Sequence, residues 1–585
     1  MNKNTSIPVS FNSAIAIIDS VEYKFYHPLD VLVAYSVSDV VPLLEKLERY
    51  SSDGKASIGW ISYEASSIFD DAYPKRPPLF ENLPYACFVV FNRYASSPAN
   101  YNIDSTKEEL CSIQWQPLIT KEKYIKKVKV IKENISAGNV YQVNFTFPLL
   151  AKLAGDLQNL FRRLCHAQGN GYFVFLDTPP FAVLSISPEL FFRYEGNVLS
   201  VRPMKGTRPR GRWKEEDDFL RTELKNSEKD RAENLMIVDL LRNDLGKISE
   251  FGSVEVPGIF TIEPYRTVWQ MTSEVKCTTR ASLADVFKSI FPSGSVTGAP
   301  KIYAMKLINL LEEYPRGVYC GCAGIVFPER KAVFNVAIRT ILYNYLTNEA
   351  YYYVGSGIVW DSNPLEEWEE CNVKAQIVRQ LPEPFSLVET IRVEEKKPYL
   401  LDYHLRRLEW SAYRFGFPFS RGEIEKAISK VCQEVNESLY RLRLELLPCG
   451  KIKLQYPLQI GSSRVRLGLA RDCIDSRNIL LYHKTSSREI YNQALSTRTD
   501  CEDVLLWNED GYITESTIAN VVVVIDGVHY TPPIECGLLP GTYRQYLIDT
   551  GIIKERKIHK DMLSSASRIY LINSVRKEIE VEWVE

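Results

Sequence analysis

Two prolines about two-thirds of the way along the chain divide it. The run Lys374-Ala375-Gln376-Ile377-Val378-Arg379 reads as helix, and Gln380-Leu381-Pro382-Glu383-Pro384 follows it. Proline has no backbone N–H to donate and its ring clashes with the preceding turn, so the helix must stop and a linker begin. The break leaves about 380 residues before it and about 200 after it, out of 585. A chain of this length exceeds one ordinary hydrophobic core, so at least two domains are expected. A large two-layer α/β sandwich has room for the first part.

Bulk properties narrow the function classes. Lys+Arg 71 against Asp+Glu 73 leaves a net charge of −2, which gives no reason to expect nucleic acid or an anionic membrane as partner. The opening Met1-Asn2-Lys3-Asn4-Thr5-Ser6 leads into no apolar stretch of signal-peptide form, and no run of about 18 apolar residues suggests a membrane-spanning helix. The 12 cysteines show neither metal nor disulfide spacing, which suits a reducing cytoplasm. The nearest pair, Cys320-Gly321-Cys322, lies in a run that reads as a buried strand. Histidine is more telling. None of the six lies between residues 167 and 403, so a centre built there runs on carboxylates, lysine, arginine or a hard metal. A histidine-ligated zinc and a Ser-His-Asp triad within that stretch are excluded.

Periodicity places the elements. Residues 121–137 form an amphipathic helix, with Tyr124, Val128, Ile131 and Ile135 on one face, and Gly138-Asn139 ends it. Residues 140–147 alternate like a strand. Further helices are expected over 228–245 and from Pro300 onward, the latter with Pro300 in its first turn. Residues 333–342 read as one strand with Asn335, Ala337 and Arg339 on a shared face.

These elements carry charge in a pattern. Glu367, Glu370 and Lys374 are spaced i, i+3, i+7 and line one helical stripe, and Glu233 sits early in the other helix. Carboxylates from two helices with no histidine nearby suit Mg²⁺, which takes one or two carboxylates and keeps positions for water and substrate. In Phe291-Pro292-Ser293-Gly294-Ser295-Val296-Thr297-Gly298-Ala299-Pro300-Lys301, the amides of Thr297, Gly298 and Ala299 are expected to point from a helix N-terminus towards an anion. Arg339 offers a two-pronged fork to the same group. The pattern describes a site for a small dicarboxylic acid. Lys205, in Arg202-Pro203-Met204-Lys205-Gly206-Thr207-Arg208-Pro209-Arg210, follows Ser187-Pro188-Glu189-Leu190-Phe191 and adds a nucleophile to it.

The runs 187–193, 203–211, 232–246, 291–300, 319–326, 334–340 and 355–370 together resemble the chorismate-utilising enzymes: anthranilate synthase component I, isochorismate and salicylate synthases, and aminodeoxychorismate synthase component I. They occur in the family's order over residues 120–375, with 1–110 similar to its variable amino-terminal region, some members of which bind tryptophan. Chorismate carries two carboxylates, matching the two anion pockets. The resemblance implies substrate contacts from Gly206, Thr207, Gln270, Thr297, Gly298, Ala299, Tyr319, Arg339, Gly355, Gly357 and Lys374, and metal contacts from Glu233, Glu370 and Glu367. Relatives that make anthranilate or isochorismate carry a small residue where this chain has Lys205, and aminodeoxychorismate synthases carry lysine. By that resemblance Lys205 attacks C2 of the ring and the 4-hydroxyl leaves, with Glu189 as its general acid; ammonia then enters at C4 and the lysine departs. Two allylic displacements retain configuration where one direct attack would not. Partial burial is expected to lower the Lys205 pKa. Many relatives have histidine at Gln270, which cannot titrate here and is expected only to orient substrate. No glutaminase elbow is present in the sequence, so the family implies a separate glutamine amidotransferase subunit supplying ammonia.

Residues 381–585 resemble the fold-type-IV pyridoxal phosphate enzymes, which include branched-chain and D-amino acid aminotransferases and aminodeoxychorismate lyase. The similarity lies in Leu387-Val388-Glu389-Thr390-Ile391-Arg392, His404-Leu405-Arg406-Arg407-Leu408, His483-Lys484-Thr485, Ile513-Thr514-Glu515-Ser516-Thr517-Ile518-Ala519-Asn520 and Gly537-Leu538-Leu539-Pro540-Gly541-Thr542. It implies that Lys484 holds the cofactor's aldehyde, Glu515 faces its ring nitrogen, and Arg407 grips the phosphate with help from Thr517 and Thr542. His404 is expected to pack without a chemical role. Such domains commonly dimerise, so a homodimer through this domain is an expectation. The implied fold is α/β (α+β): a large two-layer chorismate-utilising sandwich over 1–380, then a smaller aminotransferase-like domain. The implied function is cytoplasmic synthesis of p-aminobenzoate for folate, with Mg²⁺ and pyridoxal 5'-phosphate. Three readings stay open beside it: a non-catalytic C-terminal docking domain, an anthranilate synthase-like first domain, and a C-terminal aminotransferase.

Overall fold

In the computed structural model, residues 9–99, 113–380, 383 and 385–584 are described; Met1 to Ser6 and most of the Pro382–Pro384 linker lie outside them. The chain divides into two compact units. The first comprises Met1–Arg210 and Leu220–Pro382, the second Gly211–Phe219 and Glu383–Glu585.

The first unit is built on a hydrogen-bonded network of 18 described strands. The strand Gln142–Lys152 shows why it layers as it does. Val143, Phe145, Phe147, Leu149 and Ala151 alternate onto one face and enter a core with Tyr124, Phe161, Phe175 and Trp368, beneath the helices Lys121–Ser136, Leu157–Gln168 and Pro364–Arg379. Trp368 stacks on Phe147 at 5.3 Å between ring centroids. Gln142, Asn144 and Thr146 fall on the opposite face and are also buried. That polar face is the floor of the first candidate site. A second core joins Phe191, Phe192, Phe287 and Phe334 to Ile237, Val238, Leu241 and Leu245 of the helix Glu228–Gly246. Burying those four residues fixes the roll of that helix and brings its Glu233-Asn234 end to the strand Met204–Pro209.

The single strand expected over 333–342 is two. Lys331–Val336 pairs with Leu190–Glu195, and Thr340–Asn344 pairs with Phe181–Ser187. The chain changes partner strands between them, so it must kink. Arg339 takes the kink with a left-handed φ of 50°, and its carbonyl accepts the Ile186 N–H at 3.1 Å.

The second unit has two described sheets. Four antiparallel strands, Leu387–Glu394, Lys397–Pro398, Leu439–Leu446 and Ile452–Leu458, carry the helices Leu401–Phe415 and Arg421–Glu434 on one face. Leu387, Ile391, Val393, Tyr440, Leu442 and Leu444 alternate onto that face. An 8-stranded mixed sheet follows, with Arg464–Leu469 parallel to both Asp503–Trp507 and Lys577–Val584. The short segment Gly211–Phe219 packs within this unit. Trp213 stacks on Tyr482 at 5.4 Å, Arg212 donates to Ser476 O at 3.2 Å, and Arg414 Nε donates to Gly211 O at 2.9 Å. Nothing in its sequence pattern signals that placement.

Candidate active sites

In the first unit, Lys205 stands on the strand Met204–Pro209 with its side chain partly shielded from solvent. Burial holds its ammonium below the ordinary lysine value, helped by Lys374 and opposed by Glu233, Glu189 and Glu370. Glu189 is buried between the strands Phe181–Ser187 and Leu190–Glu195. Burial lifts its carboxyl to about 7, against the pull of Ser295 and Lys205. A shielded amine pushed down and a buried acid pushed up are what nucleophile and general acid require near neutral pH.

Gly206 has φ 91°, and a β-carbon there would press on Asp230 at 2.9 Å. Its carbonyl accepts Gln270 Nε2 at 2.9 Å, while Thr207 Oγ1 donates to Gln270 Oε1 at 3.0 Å. Gln270 was expected to meet substrate. Its amide is instead taken up at both ends by the Lys205 strand, because Thr207 lies directly opposite it in the register. It positions that strand.

The Thr297-Gly298-Ala299 segment also departs from expectation. Pro300 is the residue before the helix Lys301–Leu311, not part of its first turn. Gly298–Ala299 forms a short strand against Gln142–Val143, and Thr297 N–H turns back to Gly294 O at 3.4 Å. Sheet pairing with the polar-faced strand outcompetes an open helix end. Arg339 is brought near Tyr265 and Tyr352, and hydrogen-bonds Gln168 through its guanidinium. Burial lowers its pKa, with Tyr352 and Tyr265 opposing. Tyr319 is buried and stacks on Tyr353 at 5.2 Å.

The strand Glu349–Ile358 runs opposite Gln142–Lys152 and presents Gly355 and Gly357. A β-carbon on Gly357 would collide with Gln142 Nε2 and reach 3.4 Å from Lys205 Nζ. Lys374 Nζ donates to Gly355 O at 2.9 Å and pairs with Glu370 at 2.6 Å. Burial lifts the Glu233 carboxyl against Lys205 and Lys229, with Asp230 and Glu367 adding to the lift. Glu233 and Glu367 thus lie on separate helices within electrostatic reach of each other. Sequence reasoning missed Gln142, whose buried Oε1 accepts no hydrogen bond among the described residues, and Asn234, whose Nδ2 donates to Lys205 O at 3.4 Å. As one of three polar residues alternating with apolar ones, Gln142 carries no local signal that singles it out.

In the second unit, Lys484 lies among Arg407, Glu389, Arg488 and Glu515. Burial and the cations Arg407 and Arg488 bring its pKa to about 8. Glu515 is buried and accepts from Tyr491 OH at 2.9 Å, Leu539 N at 3.1 Å and Asn520 Nδ2 at 3.2 Å. Burial lifts it to about 7 despite these donors. Arg407 donates Nε and Nη2 to Glu389 at 2.9 and 2.6 Å, and Nη1 to Pro540 O at 3.2 Å. His404 Nδ1 meets Glu389 Oε2 at 2.6 Å, so this histidine is more than a packing residue. Burial works against the Glu389 charge, but Arg407 and His404 outweigh it and hold the carboxyl at about 2. Glu389 shares the helix-facing side of its strand with Leu387 and Ile391; a charge at an apolar position of the alternation was the available signal. Thr517 N–H donates to Asp503 Oδ1 at 3.1 Å, and Thr542 opens the helix Thr542–Asp549 with its Oγ1 3.4 Å from His404 Nε2.

A family model described as chorismate binding enzyme matches residues 33–380. The chain belongs to that family. A model for amino-transferase class IV matches residues 386–582. Anthranilate synthase component 1 of Saccharolobus solfataricus is 34% identical over 336 residues, covering 55% of this chain and 79% of that protein. Anthranilate synthase component 1 of Acinetobacter calcoaceticus is 39% identical over 272 residues, covering 45% of this chain and 54% of the relative. Aminodeoxychorismate synthase component 1 of Escherichia coli is 37% identical over 270 residues, covering 46% and 59%. The chain thus spans little more than half the length of several curated relatives. The crystal structure of anthranilate synthase component I from Streptococcus pneumoniae superposes with a TM-score of 0.52 at 24% identity, over 65% of this chain and 95% of that one, and so shares the fold. Residues 33–380 thus carry the chorismate binding enzyme family, and residues 386–582 match the class IV amino-transferase model.

Chorismate enzymes of this family typically use Mg²⁺. Among the described residues no three His, Cys, Asp or Glu side chains close into a ready cluster. Glu233 and Glu367, within electrostatic reach of each other, with Glu370 beside Lys374, fit a cation that takes one or two carboxylates and completes its shell with water and substrate. Class IV domains typically use pyridoxal phosphate. The second site fits that group: Lys484 is poised near neutral pH, and a buried Glu515 at about 7 suits a protonated ring nitrogen, which would return it to its anionic form. Arg407 uses three of its five N–H donors on the protein, and the rest are available to a phosphate. No described helix is long and apolar enough to cross a membrane.

Proposed function

We propose that the chain converts chorismate to p-aminobenzoate in two steps: amination to 4-amino-4-deoxychorismate in the first unit, and release of pyruvate in the second. The observation that carries the first step is the shielded Lys205 set between Glu189 and Glu233, with its amine held below the ordinary lysine value. Lys205 attacks C2, and Glu189 protonates the departing 4-hydroxyl. Ammonia attacks C4 from the face the lysine chemistry leaves open, and the C2–N bond to Lys205 breaks. Arg339 orients one carboxylate. Glu233 with Glu367 or Glu370 would hold Mg²⁺, which would supply positive charge for the other. A glutamine amidotransferase subunit supplies the ammonia.

In the second unit, pyridoxal phosphate, when bound beside Lys484, would supply an electron sink. Lys484 takes the proton from C4, and its pKa of about 8 leaves a useful fraction of free amine at neutral pH. The ring carbon–oxygen bond to the enolpyruvyl group then breaks, the carbocycle becomes aromatic, and the departing enolpyruvate takes up a proton, equivalent to the one removed from C4, to become pyruvate. Glu515 keeps the ring nitrogen protonated, and Arg407 with the Thr517 and Thr542 segments holds the phosphate. Supplying chorismate, ammonia, Mg²⁺ and pyridoxal phosphate and separating ortho- from para-aminobenzoate tests the reading. p-Aminobenzoate with one equivalent of pyruvate is expected; anthranilate would overturn it.

A further inference from the structure

The four-stranded sheet of the second unit has a second face, away from its helices. Val388, Thr390, Arg392 and Glu394 alternate onto it from one strand, and Arg441, Arg443 and Glu445 from the neighbour. Arg392 lies opposite Arg441 in the register. Two of these arginines are satisfied: Arg443 pairs with Glu445 at 2.8 Å, and Arg392 with Glu394 at 2.6 Å. Arg392 Nη1 also donates to Val575 O at 2.7 Å, which brings the turn carrying Arg576 against the same face.

Arg441 and Arg576 are different. Among the described residues neither side chain makes an ion pair or a hydrogen bond, and Arg441 Nε is buried without a partner. Burial, and then the like charge of Arg441, hold Arg576 below its ordinary value, with Asp503 opposing. Gly461 makes room for the second guanidinium: a β-carbon there would come within 2.7 Å of Arg576 Nη2. Asp503 acts on Arg576 at a distance, with no ion pair to it, and two neighbouring half-buried cations without a directly paired anion favour a ligand that supplies one; paired forks match a carboxylate.

The place belongs to the cofactor domain's working region. Val388 N–H donates to Lys484 O at 2.8 Å, and Arg392 is four residues further along the same strand, about 13 Å at strand rise. The Arg576 turn also touches the Glu515–Asn520 segment, where Asn573 Nδ2 donates to Ile518 O at 3.4 Å. The pair is thus set well away from the lysine. An α-amino acid carries its carboxylate one bond from the carbon bearing the amine. Aminodeoxychorismate carries one across the ring from it.

We propose that Arg441 and Arg576 bind the ring carboxylate of aminodeoxychorismate and so select a substrate whose carboxylate is remote from its amine. The assignment rests on the lyase reading of this domain. p-Aminobenzoate, which keeps the amine and that carboxylate, and aniline, which keeps only the amine, are the probes. Each is titrated into the full-length, pyridoxal phosphate-loaded protein while the cofactor's visible absorbance is followed, a signal that reports the second unit alone. Arg441→Gln and Arg576→Gln should each weaken p-aminobenzoate by about tenfold to a hundredfold and leave aniline binding and cofactor loading unchanged. Arg576→Lys should recover part of the loss. Gly461→Ala, which displaces the Arg576 guanidinium without removing its charge, should weaken p-aminobenzoate in the same direction. KM for aminodeoxychorismate should rise in parallel, with kcat moving less. p-Aminobenzoate affinities within twofold of wild type in both Gln variants would overturn the proposal. If arginine-dependent p-aminobenzoate binding is intact but wild-type protein releases no pyruvate from aminodeoxychorismate, the lyase reading falls and the carboxylate site stands.

Discussion

Lys205 Nζ lies 3.4 Å from the point that a β-carbon on Gly357 would occupy, and Gln142 Nε2 lies 2.3 Å from the same point. The bare backbone of Gly357 is therefore what lets the lysine and the glutamine share one floor. Both are brought there by strands that meet only in the folded sheet.

Gly357→Ala should lower synthase kcat/KM by about tenfold to a hundredfold, because the added methyl would overlap Gln142 Nε2 and the shift of that side chain would disturb the floor beside the reacting amine. Pyruvate release from supplied aminodeoxychorismate should be unaffected. A variant with wild-type synthase turnover would show that Lys205 does not work from this position.

The two lysines should separate the two steps. Lys205→Ala should abolish aminodeoxychorismate formation from chorismate and ammonia. Lys484→Ala should preserve it and accumulate the intermediate, seen by chromatography as a non-aromatic amine. Equal p-aminobenzoate output from both variants would overturn the division of labour.

Glu189 must be protonated to act as an acid, and its carboxyl is raised to about 7. Synthase activity that depends on it should be present below that value and decline as pH rises through about 7. Glu189→Gln should lower kcat by at least about a hundredfold and remove this alkaline limb from the pH profile. A profile unchanged in shape would assign the acid elsewhere.

Glu389 is the shared anion of Arg407 and His404, with all three side chains buried or nearly so. Glu389→Gln leaves the Arg407 charge without its partner and should destabilise the second unit by about 3–5 kcal/mol in denaturant unfolding. Its carboxyl sits at about 2, below its value in an unfolded chain, so the stabilisation is complete above about 4.5 and lost as pH falls towards 2. Wild-type stability should therefore drop over that window, and the Gln variant should lack most of that drop.

The elements were legible where one face of a segment is apolar. The helices at Lys121–Ser136 and Glu228–Gly246 and the alternation of Gln142–Lys152 follow from local periodicity. The strand break at Arg339 did not, because it arises from an exchange of partner strands more than a hundred residues away in sequence. The Thr297–Ala299 amides went astray for the same reason: a short strand pairs with Val143 and Gln142 in preference to leaving a helix end open. Gln270 was expected to orient substrate because of the family resemblance of its run; the register opposite Thr207 engages its amide with the Lys205 strand.

The sequence alone determined which chemical groups are present and in what order: two lysines, carboxylates on separate helices, no histidine across the first candidate site, and two sets of runs similar to two enzyme families. Those are properties of residue type and spacing, and they survive without coordinates. Only the tertiary structure decided which groups share a space. It set Gln142 and Gly357 beside Lys205, tied Arg407 to Glu389, put Gly211–Phe219 into the second unit, and among the described residues left the Arg441 and Arg576 side chains without an ion-pair partner. Each of these depends on strand register and side-chain burial between distant segments, and pKa and hydrogen-bond satisfaction are set by that environment, which no local pattern encodes.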